Sequence, residues 1–157
     1  VVHDMRVSQA FLDEMKKNVT TEQIYKAIEN TRKSEIMSKG NFILGNIEET
    51  KDSLRETIKF ANSLPLDMMQ HTFLAPLPGT ECYEEAKKCG EFNTSWEVTN
   101  TFAINFVPRG LTKADLKNAS FWLTFKFYMN PCRWLQLKKH LTWRQIWLGI
   151  KTLFGFF

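Results

Sequence analysis

Residues 39–80 read KGNFILGNIEETKDSLRETIKFANSLPLDMMQHTFLAPLPGT, and the order of apolar runs and breakers in this stretch decides the fold class. Ile36 to Leu44 is a short apolar run punctuated by glycines, which predicts a buried strand ending at Gly45. Thr50 opens a helix that carries Leu54, Thr57, Ile58 and Ala61 on one face, and Pro65 stops it. Asp67 to Ala75 is the next strand, closed by the turn Pro76-Leu77-Pro78-Gly79. Thr80 caps a helix running to Lys88, with Gly90 placed for a left-handed C-terminal cap. Strands separated by single helices imply parallel pairing through right-handed crossovers, as in an α/β barrel or an open doubly wound sheet. Three strands at most cannot close a barrel. An isolated half-sheet would leave a long exposed edge, so these are expected to be the last strands of a larger sheet.

Upstream, Phe11, Leu12 and Met15 predict a short helix from Ser8 to Lys17. Thr20-Thr21-Glu22-Gln23 reads as a capping box, followed by Ile24, Ala27, Ile28 and Thr31 at helical spacing to Lys33. Downstream, Glu91 to Gly110 has little periodicity and reads as an extended segment packed on the domain. Thr112 then opens a helix with Leu116, Ala119, Phe121, Trp122, Phe125 and Tyr128, and Asn130-Pro131 breaks it. Further helices are expected to His140 and from Thr142 onward. The division expected is an α/β unit over 1–90 and a mainly helical extension over 91–157.

The 157 residues are 43% hydrophobic, 24% charged and 13% aromatic, a composition suited to a folded core. The formal charge is +4, and no acidic residue follows Asp115. From Trp134 to Phe157, tryptophans, leucines and phenylalanines alternate with basic residues. That pattern fits either peripheral contact with an anionic membrane surface or helices docked on another part of the protein. No nucleic-acid-binding motif accompanies the charge, so no nucleic-acid partner is expected. Three cysteines, Cys82, Cys89 and Cys132, form neither a disulfide framework nor a zinc pattern. A cytoplasmic location, peripheral to the membrane if the tail binds lipid, is the expectation. No run approaches the ~18 apolar residues of a spanning helix. Val1 in place of an initiator methionine suggests a start inside a longer protein.

Three motifs in order carry a family resemblance. Lys39 to Asp67 resembles the sixth strand and following helix of the radical S-adenosylmethionine (radical SAM) barrels, where an apolar strand leads into Gly-Leu-Pro-Gly-Glu-Thr. Gly45, Glu49, Thr50 and the run Ile58-Lys59-Phe60-Ala61 match, whereas Asn46, Ile47 and Glu48 depart from it. Ala75 to Tyr83 resembles the family's Thr-Pro-x-Pro-Gly-Thr-x-Leu-Tyr motif after the seventh strand. Leu12 to Thr20 looks like the helix after the fourth strand. Phe106 to Thr112 and Lys126 to Pro131 are similar to the C-terminal extension of the cobalamin-binding subgroup.

The resemblance implies the C-terminal part of a TIM-like radical SAM barrel followed by an α-helical extension. Full-length members bind S-adenosylmethionine on a 4Fe-4S cluster held by a CxxxCxxC motif, with cobalamin in the subgroup. Three thiolates leave one iron open for S-adenosylmethionine, whose reductive cleavage gives a 5′-deoxyadenosyl radical. Cys82, Cys89 and Cys132 cannot form that triad, so this chain holds no cluster ligand and no catalytic residue by itself. Its partner would be a missing portion carrying the cluster and cobalamin sites. The family's Gly-x-Glu-Ser-Gly strand end is replaced by His3-Asp4-Met5-Arg6-Val7-Ser8, with Asp4 as its acidic residue.

Within the chain, ligands of α/β sheets bind at the carboxyl ends of strands. Gly45 would admit an adenine close to the backbone with Ile43 beside it, or would simply end the strand. Glu48 and Glu49 are placed to begin a helix, where carboxylates suit the positive dipole end, and are otherwise candidates for cofactor contact. His71, mid-strand, is a substrate-side candidate that would face the barrel lumen, or a hydrogen-bonded structural histidine. Pro76, Pro78 and Gly79 fix the turn after the seventh strand and shape the substrate mouth. The rival function is a non-catalytic module that uses its basic, aromatic tail to attach to a membrane or partner.

Overall fold

The computed structural model describes residues 18–92, 101–131 and 133. The expected helix at Ser8–Lys17 and those of the tail, with Cys132, lie outside the described residues. Helix α1 (Thr21–Lys33) leads to strand β1 (Lys39–Leu44), helix α2 (Lys51–Ser63) and strand β2 (Met68–Phe73). Helix α3 (Glu81–Cys89), strands β3 (Gly90–Phe92) and β4 (Phe106–Pro108), and helix α4 (Lys113–Tyr128) follow. The architecture is mixed α/β. The described residues form two two-stranded sheets and no closed barrel.

The helix starts follow from local chemistry. Thr20, Thr50 and Thr112 each accept from the amide three residues on, and Gln23, Ser53 and Asp115 return the bond to the threonine amide. Thr80 caps α3 by accepting from the Tyr83 amide. Strand β1 is shorter than expected. Ile36 and Met37 are 61% and 47% exposed, and the chain before Ser38 is given over to the turn that closes α1, where Ile36 N–H reaches Thr31 O.

β1 and β2 pair in parallel, with Lys39 opposite Met68 and Leu44 opposite Phe73. α2 lies between them in sequence and packs Leu54, Ile58 and Ala61 against Leu44, Met69 and Phe73. The same core continues past residue 90 into Val107, Leu111, Leu116, Ala119, Leu123 and Phe127. Each Val, Leu, Ile, Met or Phe side chain among them contributes about 1.5–3 kcal/mol on burial. α4 therefore shares one hydrophobic layer with α2, on one face of the β1–β2 sheet.

The segment expected to be merely extended contains the second sheet. β3 and β4 pair antiparallel, Glu91 opposite Val107. Gly90 is not a left-handed cap. Its φ is −176°, extended backbone, and glycine is required because a Cβ would overlap the Val107 carbonyl. Arg109 fastens the same corner, its N–H donating to Cys89 O at 2.9 Å and its guanidinium to Lys88 O at 3.1 Å.

The two edges of the β1–β2 sheet differ. Met68 N–H donates to Ser38 O and Leu74 N–H to Leu44 O, so even-numbered residues of β1 turn their peptide groups toward β2. The odd-numbered residues of β2 point outward and are met there. Tyr128 Oη donates to Met69 O at 2.7 Å and accepts from Met69 N–H at 3.3 Å, and Phe73 N–H donates to Thr101 O at 2.7 Å. Lys39, Asn41 and Ile43 turn their peptide groups to the other edge, where β1 has no strand neighbour among the described residues.

Candidate functional site

The carboxyl ends of β1 and β2 are built by two loops. In the first, Gly45 is buried and adopts φ +82°, a conformation that glycine takes without steric cost. A Cβ placed there would reach ordinary contact distance of Leu116 of α4 and the Phe106 carbonyl. The Glu49 carboxylate accepts from Gly45 N–H and from Asn46 N–H at 3.1 Å, while Glu49 N–H donates to Asn46 O at 3.0 Å. Glu49 is 4% exposed. It does not begin a helix, because Thr50 is the cap and Lys51 the first helical residue. Its charge is instead bound to two backbone amides of the loop before the helix. Glu48 precedes the helix too and is exposed.

In the second loop, Pro76 is buried, whereas Pro78 and Gly79 are exposed. Leu77 O accepts from Thr80 N–H at 3.2 Å and from the Thr80 hydroxyl at 2.6 Å, and Gly79 has φ +86°. Proline followed by a positive-φ glycine is the requirement of a type II turn. It delivers Thr80 directly to its capping position on α3.

The two faces of the sheet separate the remaining candidates. Lys39, Asn41 and Ile43 lie on the same face as Met68, Gln70 and Thr72, opposite the helices, and the Lys39 ammonium meets the Gln70 side-chain carbonyl there. Ile43 is 36% exposed on this open face. His71 lies on the other face, beneath α4. Its Nε2 is 2.7 Å from Ser120 Oγ and its Nδ1 3.4 Å from Thr124 Oγ1, and its ring sets edge-on against Phe73 at 5.9 Å. Burial holds its pKa below the ordinary 6.5, because a charged ring loses water there. The structure thus places Gln70, not His71, on the open face.

Several polar residues of this region carry no local signal in the sequence. At the amino ends of the strands, Asp67 Oδ2 accepts from Ser38 N–H at 2.7 Å and from the Ser38 hydroxyl at 2.9 Å, with both residues buried. This pins the start of β1 to the start of β2. Arg133 donates from Nη2 to Asn62 O at 2.7 Å and Leu64 O at 3.2 Å, with its guanidinium 3.6 Å from the Phe127 ring centre. That closes the C-terminal end of α2. Among the described residues no three His, Cys, Asp or Glu side chains converge to hold a metal ion. The described residues do not fit an iron–sulfur cluster.

Comparison with known proteins adds a lineage. The chain is 35% identical over 125 residues to an uncharacterized methyltransferase of Pyrococcus horikoshii. It is 28% identical over 153 residues to the anaerobic magnesium-protoporphyrin IX monomethyl ester cyclase of Cereibacter sphaeroides. The chain is related to these enzymes in sequence. The corresponding cyclase of Rubrivivax gelatinosus is 27% identical over 128 residues. The matches cover 79%, 94% and 78% of this chain but 27%, 23% and 22% of the relatives, so it spans about a quarter of their length. No family model matches the chain. No helix among the described residues is long and apolar enough to cross a membrane.

Proposed function

We propose that this chain is the C-terminal part of a radical SAM enzyme of the cobalamin-associated kind, silent by itself and completed by an N-terminal portion that supplies the cluster. One observation carries the reading. The parallel β1–α2–β2 unit has one edge closed by Tyr128 and Thr101 and, among the described residues, the other edge open at Lys39, Asn41 and Ile43. Earlier strands of a barrel would add at that open edge. The named methyltransferase and cyclases among the relatives, about three to four times longer than this chain, support the same assignment. They favour reductive cleavage of S-adenosylmethionine or cobalamin-assisted methyl transfer as the chemistry of the whole protein.

In this reading the open face of the sheet is the lumen wall. Ile43 stands there beside the strand end, where adenosyl contact is expected, and Gln70 offers an amide to substrate. Gly45 and Glu49 act one layer behind, shaping the loop, and Pro76, Pro78 and Gly79 set the rim of the mouth. Glu48, exposed at the same end, is the free carboxylate of the first loop. The test is to read and express the reading frame that runs into Val1. A CxxxCxxC in one continuous frame, and release of 5′-deoxyadenosine from S-adenosylmethionine by the anaerobically reconstituted product, are the expected results. A frame without the motif rejects the enzyme reading.

A second reading is favoured by one separate observation. Phe121, Trp122, Phe125 and Met129 form an outward stripe on α4, 58%, 47%, 43% and 61% exposed, with Phe121 and Phe125 stacked at 5.5 Å. A non-catalytic module attached to a membrane surface or partner would use such a stripe together with the basic, aromatic residues 134–157. Flotation with anionic liposomes that weakens with salt, and is lost when the chain stops at Leu141, supports the membrane form of this reading. Flotation that is absent rejects it.

A further inference from the structure

Beside His71 the helical layer leaves a cleft of about 680 Å³, a size that suits a small organic ligand. Its apolar side is made by Phe73, Phe102, Ile104 and Phe121. Its polar side is a single line along α4: Lys113, Lys117, Ser120 and Thr124, at successive helical turns. No Asp or Glu lines it among the described residues.

The two lysines are not spent on the fold. Neither forms an ion pair with a described residue, and both side chains are exposed. The nearest carboxylate in sequence, Asp115, is occupied on another side of α4. It accepts from Thr112 N–H at 3.0 Å and from the Thr112 hydroxyl at 2.8 Å, and it pairs with Lys51 at 3.1 Å. Helix stability does not account for Lys113 either, since a cation in the first turn opposes the helix dipole. The dipole and both ammonium groups therefore attract negative charge to the same mouth, while the aromatic wall attracts an apolar body.

We infer that this cleft binds an anionic ligand with a flat apolar body, its carboxylate or equivalent acid at Lys113 and Lys117 and its rings against Phe73, Phe102 and Phe121. Ser120 and Thr124 also meet the ring of His71, and among the described lining residues the two lysines are the only charged ones.

The intact chain is titrated with 1-pyrenebutyrate and with its neutral counterpart 1-pyrenebutanol, followed by pyrene fluorescence anisotropy. The acid is expected to bind at least about tenfold more tightly, a preference that two charge-assisted contacts supply, and salt should weaken the acid alone. The double variant Lys113→Ala/Lys117→Ala, whose exposed side chains leave the fold intact by circular dichroism, should erase the preference. Phe102→Ala should weaken both probes. Equal affinity for acid and alcohol, a preference that survives in the double variant, or binding of neither probe would overturn the inference.

Discussion

Tyr128 and Met69 are 59 residues apart, and the tyrosine hydroxyl engages both the carbonyl and the amide of the methionine. A side chain at the end of α4 thus does for the outer edge of β2 what a neighbouring strand would do. Tyr128→Phe keeps the ring and removes both bonds, leaving a half-buried peptide group without its partner. The expected loss is about 1–3 kcal/mol in urea unfolding. An unchanged midpoint would mean that water replaces the hydroxyl at no cost.

Glu49 should behave as part of the backbone. Glu49→Gln retains one acceptor oxygen for the Gly45 and Asn46 amides and should cost about 1–2 kcal/mol, whereas Glu49→Ala leaves both amides bare at about 3 kcal/mol. Glu48→Ala, at an exposed position, should stay within about 0.5 kcal/mol. Chemical denaturation of the three variants checks the ranking.

Two glycines should differ in cost for different reasons. Gly45→Ala meets only ordinary contacts with Leu116, so its expense is the φ of +82°, about 1–2 kcal/mol. Gly90→Ala has unstrained φ but drives a Cβ into the Val107 carbonyl, which must part β3 from β4 and cost about 3 kcal/mol or more. Thermal melts that reverse this order would refute the assignment of Gly90 to a close strand contact.

The histidine gives the fold a pH dependence of known sign. His71 has a folded pKa below its ordinary 6.5 through burial, so the unfolded chain takes up its proton first as pH falls. Its stabilising contribution is complete above pH 6.5 and declines as pH drops toward the lower folded value. His71→Gln, which can still meet Ser120, should flatten this part of the stability profile. A wild-type profile level between pH 7 and 5, about the range in which histidine titrates, would rule the mechanism out.

The open edge of β1 can be tested without touching the core. The Asn41 amide faces away from β2, so Asn41→Pro removes a donor that the ladder does not use. The isolated chain should associate through this edge, and Asn41→Pro should shift sedimentation toward monomer. Phe42→Pro, on the ladder side, should instead unfold the sheet.

The helix–strand order was legible because its signals are local. Thr20, Thr50, Thr80 and Thr112 each announce a helix within four residues, and Pro65 and Pro131 follow helix ends. β3 and β4 are three-residue strands brought together across a long connection, with no periodicity of their own to read, and Gly90 looks in sequence like any glycine after a helix. For His71, alternation along β2 establishes two faces, but only the packing of α4 decides which one is covered. Glu49 differs from its local signal for a related reason. Adjacency to a helix start suggests a dipole role, whereas the bond it makes depends on Gly45 turning its amide inward. The role of Tyr128 depends on contact with a strand far away in sequence, and no local pattern marks it.

A sheet with one edge sealed and one edge free has a valence of one. Strands can be added before β1 but not beyond β2, so assembly through this sheet has a direction and an end. Two copies joined at β1 across a twofold axis would consume, on each, the one edge of this sheet left free by the described residues, closing as a pair with nothing of this sheet left to extend. Tyr128 and Thr101 are therefore chain terminators in the polymer sense. They make the difference between a chain that dimerises through this sheet and one that propagates into fibres.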